Sequence, residues 1–217
     1  ISAYFSQAKV SVIPDGLDVQ EFKKTKNISK IDLVKYFTNI SFDEVEEVIC
    51  SIGRLHKIKC FDIVIDAFSI YLKDYPRSKL IIAGGDDGQR RVLENRILDL
   101  KLKESVFLIG EVNETEKKLL LHNSNFFVLA SEFESFGIVV AEALASGLPV
   151  VVSNKTSWNK VERYNCGILV NNNKEDLFLG FKKIKNIQFN ELSCIDYAKN
   201  NFDWSSISVK FIESFLK

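Results

Sequence analysis

Short apolar runs alternate with longer amphipathic stretches from Glu46 to Val170. The runs at 48–53, 80–83, 106–109, 126–130, 150–153 and 167–170 carry no charge and are rich in Val, Ile, Leu and Phe, as strands covered on both faces are. Between them, 63–71 shows helical spacing and stops near Pro76. A helix ending near Lys101 follows the loop Gly84-Gly85-Asp86-Asp87-Gly88, and two more span 115–122 and 137–146. Ahead of this series, Lys9 to Ile13 reads as a short strand or linker end, closed by the turn Pro14-Asp15-Gly16. The polar stretch 20–45 holds a helix with Ser29 as N-cap and Ile31, Val34 and Phe37 at helical spacing. The tail from Lys174 is helical, 205–216 included. Strand and helix in alternation predict an α/β domain with a parallel, doubly wound sheet, whose ligands bind beyond the carboxyl ends of the strands. Residues 1–19 are expected to be a linker and 20–217 a single domain, since no long Pro/Gly/Ser-rich break divides the pattern.

Composition removes several classes of partner. Basic and acidic residues balance at 29 each, which leaves no electrostatic footprint for nucleic acid, and Lys23-Lys24-Thr25-Lys26 reads as solvated loop. No apolar run approaches the roughly 18–20 residues of a membrane span, and no signal-peptide pattern is present. Cys50, Cys60, Cys166 and Cys194 lack the close pairing of zinc sites. Cys50, in an apolar strand, reads as a buried free thiol, so a reducing, cytoplasmic setting is expected. With no Met in the chain, 217 residues are expected to be a piece of a longer protein.

The richest stretch is 131–149. The helix over 137–146 is apolar on every face and must lie inside the protein, yet it carries Glu142. A buried carboxylate is costly without hydrogen-bond donors. Glu134 precedes it on the strand-to-helix loop, with seven residues between the two acids. Two acceptor-only groups flank a helix N-terminus, whose free N–H groups favour an anion. That combination suits a ligand bearing both phosphates and hydroxyls, as a nucleotide sugar does.

Glu134-Ser-Phe-Gly-x-x-x-x-Glu142-Ala-x-Ala-x-Gly-x-Pro-Val resembles the E-x7-E signature of retaining glycosyltransferases of the GT-B fold, family four. Val12-Ile13-Pro14-Asp15-Gly16-Leu17-Asp18 resembles the opening of that family's C-terminal domain, and Gly53-Arg54-Leu55-x-x-x-Lys59 its phosphate motif. The likeness runs from Val10 to about Trp204. It implies a Rossmann-like domain, the C-terminal half of a GT-B fold, which binds a nucleotide-diphosphate sugar without metal or other cofactor. The missing N-terminal half is then expected to supply the site for a glycan or lipid-linked acceptor. The loop Thr156-Ser157-Trp158-Asn159 resembles members that build bacterial capsular or lipopolysaccharide glycans. This leaves room for peripheral association of the longer protein with the inner face of the membrane.

By the same resemblance, Arg54 and Lys59 stabilise the leaving pyrophosphate, Glu134 orients the sugar and Glu142 holds the ribose. Gly53, Gly84, Ser135, Phe136, Gly137 and Ile138 complete the donor site, the backbone N–H groups of Phe136, Gly137 and Ile138 meeting phosphate or sugar oxygens. One departure stands out: Cys60 occupies the family's glycine position and predicts a stiffer or differently shaped loop. Plainer readings exist for each residue. Arg54 and Lys59 could be surface cations, and Glu142 a solvent-reaching acid or half of an internal salt bridge. Trp158 and Phe136 read as packing, His56 and His122 as isolated, and Phe202-Asp203-Trp204 as an anchor for the last helix. Glu134 and Glu142 could also form a hydrolytic pair. Asp86 and Asp87 could hold a divalent metal, although turn chemistry explains them better. Two alternative functions remain: a catalytically silent nucleotide-binding module paired with a separate chain, and a GT-B-like sugar-nucleotide epimerase.

Overall fold

The computed structural model describes residues 12–22, 27–187 and 189–215. The expectations for Lys9 to Ser11 and for Lys23 to Lys26 lie outside the described residues. Six strands form one sheet: β1 (Glu47–Ile52), β2 (Ser78–Ala83), β3 (Val106–Gly110), β4 (Phe126–Leu129), β5 (Val150–Ser153) and β6 (Gly167–Val170). They are parallel throughout and lie in the order β3-β2-β1-β4-β5-β6. The predicted doubly wound α/β fold is therefore the observed one. The chain starts in the middle, winds out to β3, then returns to lay β4 against β1 and winds out the other way. At that reversal the loops after β1 and β4 leave the sheet toward opposite faces and open a crevice between them.

The helices form a layer on each face. On one side lie α1 (Lys30–Thr38), α4 (Glu114–Asn123), α5 (Ile138–Ala145) and α7 (Glu191–Phe202). On the other lie α2 (Phe61–Asp74), α3 (Arg90–Asp99) and α6 (Lys174–Asn186). The last helix, α8 (Trp204–Phe215), packs along α7. Because side chains alternate along a strand, each strand feeds both layers: Phe127 and Leu129 face α5, while Phe126 and Val128 face α2 and α6. Val48, Ile49 and Cys50 are fully buried, and each large apolar side chain so covered contributes about 1.5–3 kcal/mol. Ser29 caps α1 as expected, its side chain accepting from the Asp32 N–H.

The leading segment, read as a short strand or a linker end, is described only from Val12. Val12 and Ile13 form no strand; instead Leu17 makes a single parallel bridge to Asp203. Its N–H donates to the Phe202 carbonyl at 2.9 Å, and the Asp203 carboxylate accepts from the Val19 N–H at 3.2 Å. The anchor read into Phe202-Asp203-Trp204 is thus divided. Phe202 is buried, whereas Trp204 is 57% exposed and lies as a lid over Gly16, where a Cβ would come within 2.5 Å of its ring.

All four cysteines are free and buried. Burial pushes the Cys50 and Cys166 thiols up to about 12, and raises Cys60 and Cys194 as well. Thiolate is the reactive form. Native chain at pH 8 is therefore expected to leave all four thiols unmodified by a disulfide reagent over minutes, and to release all four in guanidinium. Fast reaction of any thiol in the native state would contradict the packing. A second expectation concerns Gly84, whose φ is 151° and whose Cβ would lie 1.9 Å from the Gly53 carbonyl oxygen. Gly84→Ala should cost about 3 kcal/mol or more. Calorimetry should show a fall in melting temperature of roughly 6–12 °C.

Candidate functional site

The crevice is lined first by the loop after β1. The Gly53 N–H donates to the Ala83 carbonyl at 2.9 Å, and the close approach of Gly84 keeps the two strand ends together. The chain then makes a single 3-10 turn, Lys57–Lys59, in which the His56 imidazole accepts from the Ile58 N–H. Cys60 ends that turn at φ 52°, in the left-handed region, and starts α2. A non-glycine residue there carries a strain of about 1–2 kcal/mol. The thiol is held by the Asn172 side-chain N–H at 3.4 Å. At the position that the resemblance assigns to glycine, the left-handed turn is thus held by a buried sulfur.

The loop after β4 is joined to this turn by a backbone hydrogen bond from the Glu132 N–H to the Ile58 carbonyl at 2.9 Å. The Lys59 stem passes over Gly53, whose missing Cβ would sit 3.6 Å from Lys59 Cε. Its ammonium forms an ion pair with Glu134 Oε1, and the Ser131 hydroxyl donates to the same oxygen at 3.1 Å. Both side chains are largely shielded, 16% and 11% exposed. Two residues expected in separate roles are thus in direct contact.

Beyond Glu134 the loop turns into α5. Ser135 is exposed, and Phe136 is half-buried against Trp158 and Phe202, with ring centroids 5.4 Å away in each case. The Trp158 indole N–H donates to the Phe136 carbonyl at 2.7 Å. Gly137 follows at φ 76°, and a Cβ there would come within 3.3 Å of that indole nitrogen. Trp158 is a packing residue, as expected, but one that sets the shape of this loop. The helix is buried from Val140 onward, while Ile138 at its start is 38% exposed. The expectation of a wholly internal helix therefore fails at its first turn, which opens on the crevice. The first N–H groups of a helix have no partner within it.

Glu142 lies further along α5, 9% exposed. Its Oε1 accepts from Lys117 Nζ at 2.7 Å, and Lys117 also reaches Glu114 at 2.8 Å. Burial pulls the Lys117 ammonium down, but the hydrogen bonds and charges of Glu114 and Glu142 outweigh it and raise it above its ordinary value. The internal salt bridge weighed for Glu142 is therefore real. Lys117 was not found from the sequence, because nothing in 115–122 distinguishes it from a solvated lysine. Only the packing of α4 beside α5 reveals it.

Arg54 stands apart from the Lys59–Glu134 pair. It is 75% exposed at the rim and bonds the Asp87 carboxylate at 2.5 Å. Asp86 Oδ1 accepts from the N–H groups of Gly88, Gln89 and Arg90, and these bonds, that from Arg90 foremost, hold its carboxyl below the usual range. Both loop aspartates thus have partners that account for them. Two cavities of about 550 and 520 Å³ lie elsewhere: one along the β3 edge, the other below the amino ends of β1 and β4. Neither gathers the paired carboxylates and lysines of the crevice. Among the described residues no helix is long and apolar enough to cross a membrane.

Residues 35–201 match the family model described as glycosyl transferases group 1. An uncharacterized glycosyltransferase of Methanocaldococcus jannaschii is 35% identical over 146 residues, covering 67% of this chain and 36% of that protein. The alpha-monoglucosyldiacylglycerol synthase of Acholeplasma laidlawii is 30% identical over 167 residues, covering 76% of this chain and 41% of that protein. The chain thus spans well under half the length of these relatives. Among solved structures, HepE of Anabaena in complex with UDP and glucose superposes with a TM-score of 0.77 at 23% identity, over 94% of this chain and 56% of that one. The family-model match across most of the chain means that this protein belongs to the glycosyl transferases group 1 family.

Proposed function

We propose that this chain is the donor-binding half of a retaining glycosyltransferase, moving a hexose from a nucleotide-diphosphate sugar to a glycan or lipid-linked acceptor. The observation that supports the reading is the shielded Lys59–Glu134 pair between the loops after β1 and β4, directly before the partly exposed first turn of α5, the helix that carries Glu142. As the bond from the anomeric carbon to the diphosphate oxygen breaks, that carbon bonds the acceptor hydroxyl oxygen, charge grows on the diphosphate, and the hydroxyl proton passes to the departing diphosphate oxygen. Lys59 supplies a near point charge, Arg54 reaches in from the rim, and the N–H groups of Phe136, Gly137 and Ile138 face the phosphate or sugar oxygens. Glu134 orients the sugar hydroxyls, releasing part of its hold on Lys59 as the diphosphate arrives. Glu142 accepts from the ribose.

The names of relatives support a carbohydrate-building role. Acholeplasma laidlawii contributes a glucolipid synthase, and Escherichia coli a galactosyltransferase acting on a diphosphoundecaprenol-linked sugar. Bacterial surface polysaccharide synthesis at the cytoplasmic face of the membrane is the reading they favour. In it, lysine, arginine and backbone N–H groups serve the diphosphate in place of a metal. The acceptor site belongs to the remainder of a longer protein.

Titration with UDP, GDP and ADP, each with and without Mg²⁺, tests the donor site. One diphosphate should raise the melting temperature without metal. Glu142→Ala and Arg54→Ala should each weaken its binding about tenfold or more, the scale of a lost hydrogen bond to a charged group. Stabilisation that requires Mg²⁺, or that survives both substitutions, would sink the proposal. The isolated chain should also transfer no measurable sugar. Turnover by these 217 residues alone would show that the crevice is complete without another domain.

A further inference from the structure

The Glu142 carboxylate is used unevenly. Oε1 accepts from Lys117 Nζ at 2.7 Å, while Oε2 accepts no hydrogen bond among the described residues. Nor is Oε2 one of their sealed, unpartnered polar atoms, so it keeps some contact with solvent. The two side chains that form the pair are 14% and 12% exposed, so neither end is free to wander in solvent. Lys117 is itself braced from behind by Glu114 at 2.8 Å, and α4 is fixed by a capping box between Asn113 and Glu116. Of the three N–H donors of the ammonium, one goes to each carboxylate and one remains.

From this geometry we infer that Lys117 is a positioning residue for ribose recognition: it holds one oxygen of Glu142 so that the other is aimed at the sugar diol of the donor. The inference rests on the assignment of Glu142 to the ribose given above. A carboxylate with both oxygens solvated would rotate and average its acceptor directions. One oxygen tied to a braced ammonium leaves the second in a single orientation, matched to a hydroxyl donor. The counter-charge of Lys117 also removes much of the desolvation cost of a carboxylate inside the crevice.

The test measures discrimination rather than affinity alone. UDP, GDP and ADP are titrated beside their 2′-deoxy and 3′-deoxy counterparts, with inorganic pyrophosphate as a probe of the phosphate contacts only. The unaltered chain should prefer one ribonucleotide over at least one deoxy form by roughly 10–100-fold. Lys117→Gln should reduce that preference to within about threefold, with pyrophosphate binding unchanged and the melting temperature within a few degrees. Lys117→Met, apolar and of similar length, repeats the measurement if the glutamine variant melts early. Lys117→Arg, which retains the charge, should keep at least half of the preference on a logarithmic scale. Full discrimination in a folded Lys117→Gln or Lys117→Met chain overturns the role of Lys117 while leaving the ribose assignment intact. No discrimination in the unaltered chain overturns the ribose assignment itself, and the inference falls with it.

Discussion

The pairing of β1 with β4, which sets Ile49 beside Phe126 and Cys50 beside Phe127, is the constraint on which the site depends. It makes neighbours of two strands separated by the whole β2–β3 half of the sheet. A helix crosses one face after β1 and the other face after β4, so the two loops diverge and leave backbone and side chains uncovered between them. Had β4 joined the sheet next to β3, Lys59 and Glu134 would stand at separate edges. The apolar cover on both faces enforces the arrangement, because β1 and β4 are buried by the layer of α2 and α6 on one side and by the layer of α1, α4 and α5 on the other.

Electrostatics then determines what can remain in the crevice. Two carboxylates lie largely out of water, and each faces a lysine from another element: Glu134 with Lys59, Glu142 with Lys117. Removing one member of such a pair leaves a charge uncompensated, which is more damaging than losing the attraction itself. The two pairs differ in what carries them. Lys59 ends the short 3-10 turn after β1 and Glu134 lies on the loop after β4. Lys117 and Glu142 both project from helices, and Glu114 braces the lysine from behind.

Glycines and one indole fix the shape between these charges. Gly84 and Gly137 hold backbone conformations that side chains rarely adopt; a Cβ on Gly84 would collide with the Gly53 carbonyl, and one on Gly137 would press on the Trp158 indole. Trp158 connects this loop to Phe202, and the Phe202 carbonyl in turn accepts from Leu17. The loop before α5, the leading segment and the junction of α7 with α8 therefore share one aromatic cluster. Packing of this density transmits small displacements rather than absorbing them.

Much of this was legible in the chain itself. Charge-free runs of Val, Ile, Leu and Phe can be satisfied only by cover on both faces, which is why the sequence pattern locates six parallel strands and their helices closely. Gly137, Gly147 and Pro149 likewise marked the limits of α5, since few other residues tolerate those backbone states. The likeness around Glu134 and Glu142 pointed to the site, because both acids fall at one strand-to-helix junction. Tertiary structure alone decided the partners. Arg54 turns out to Asp87 while Lys59 turns in to Glu134, and Lys117, one ordinary lysine in a polar stretch, becomes the counter-ion of Glu142. Local pattern records which face of an element is apolar, but an ion pair forms between side chains 25 residues or more apart in sequence, and its geometry exists only once the helices that carry them have packed.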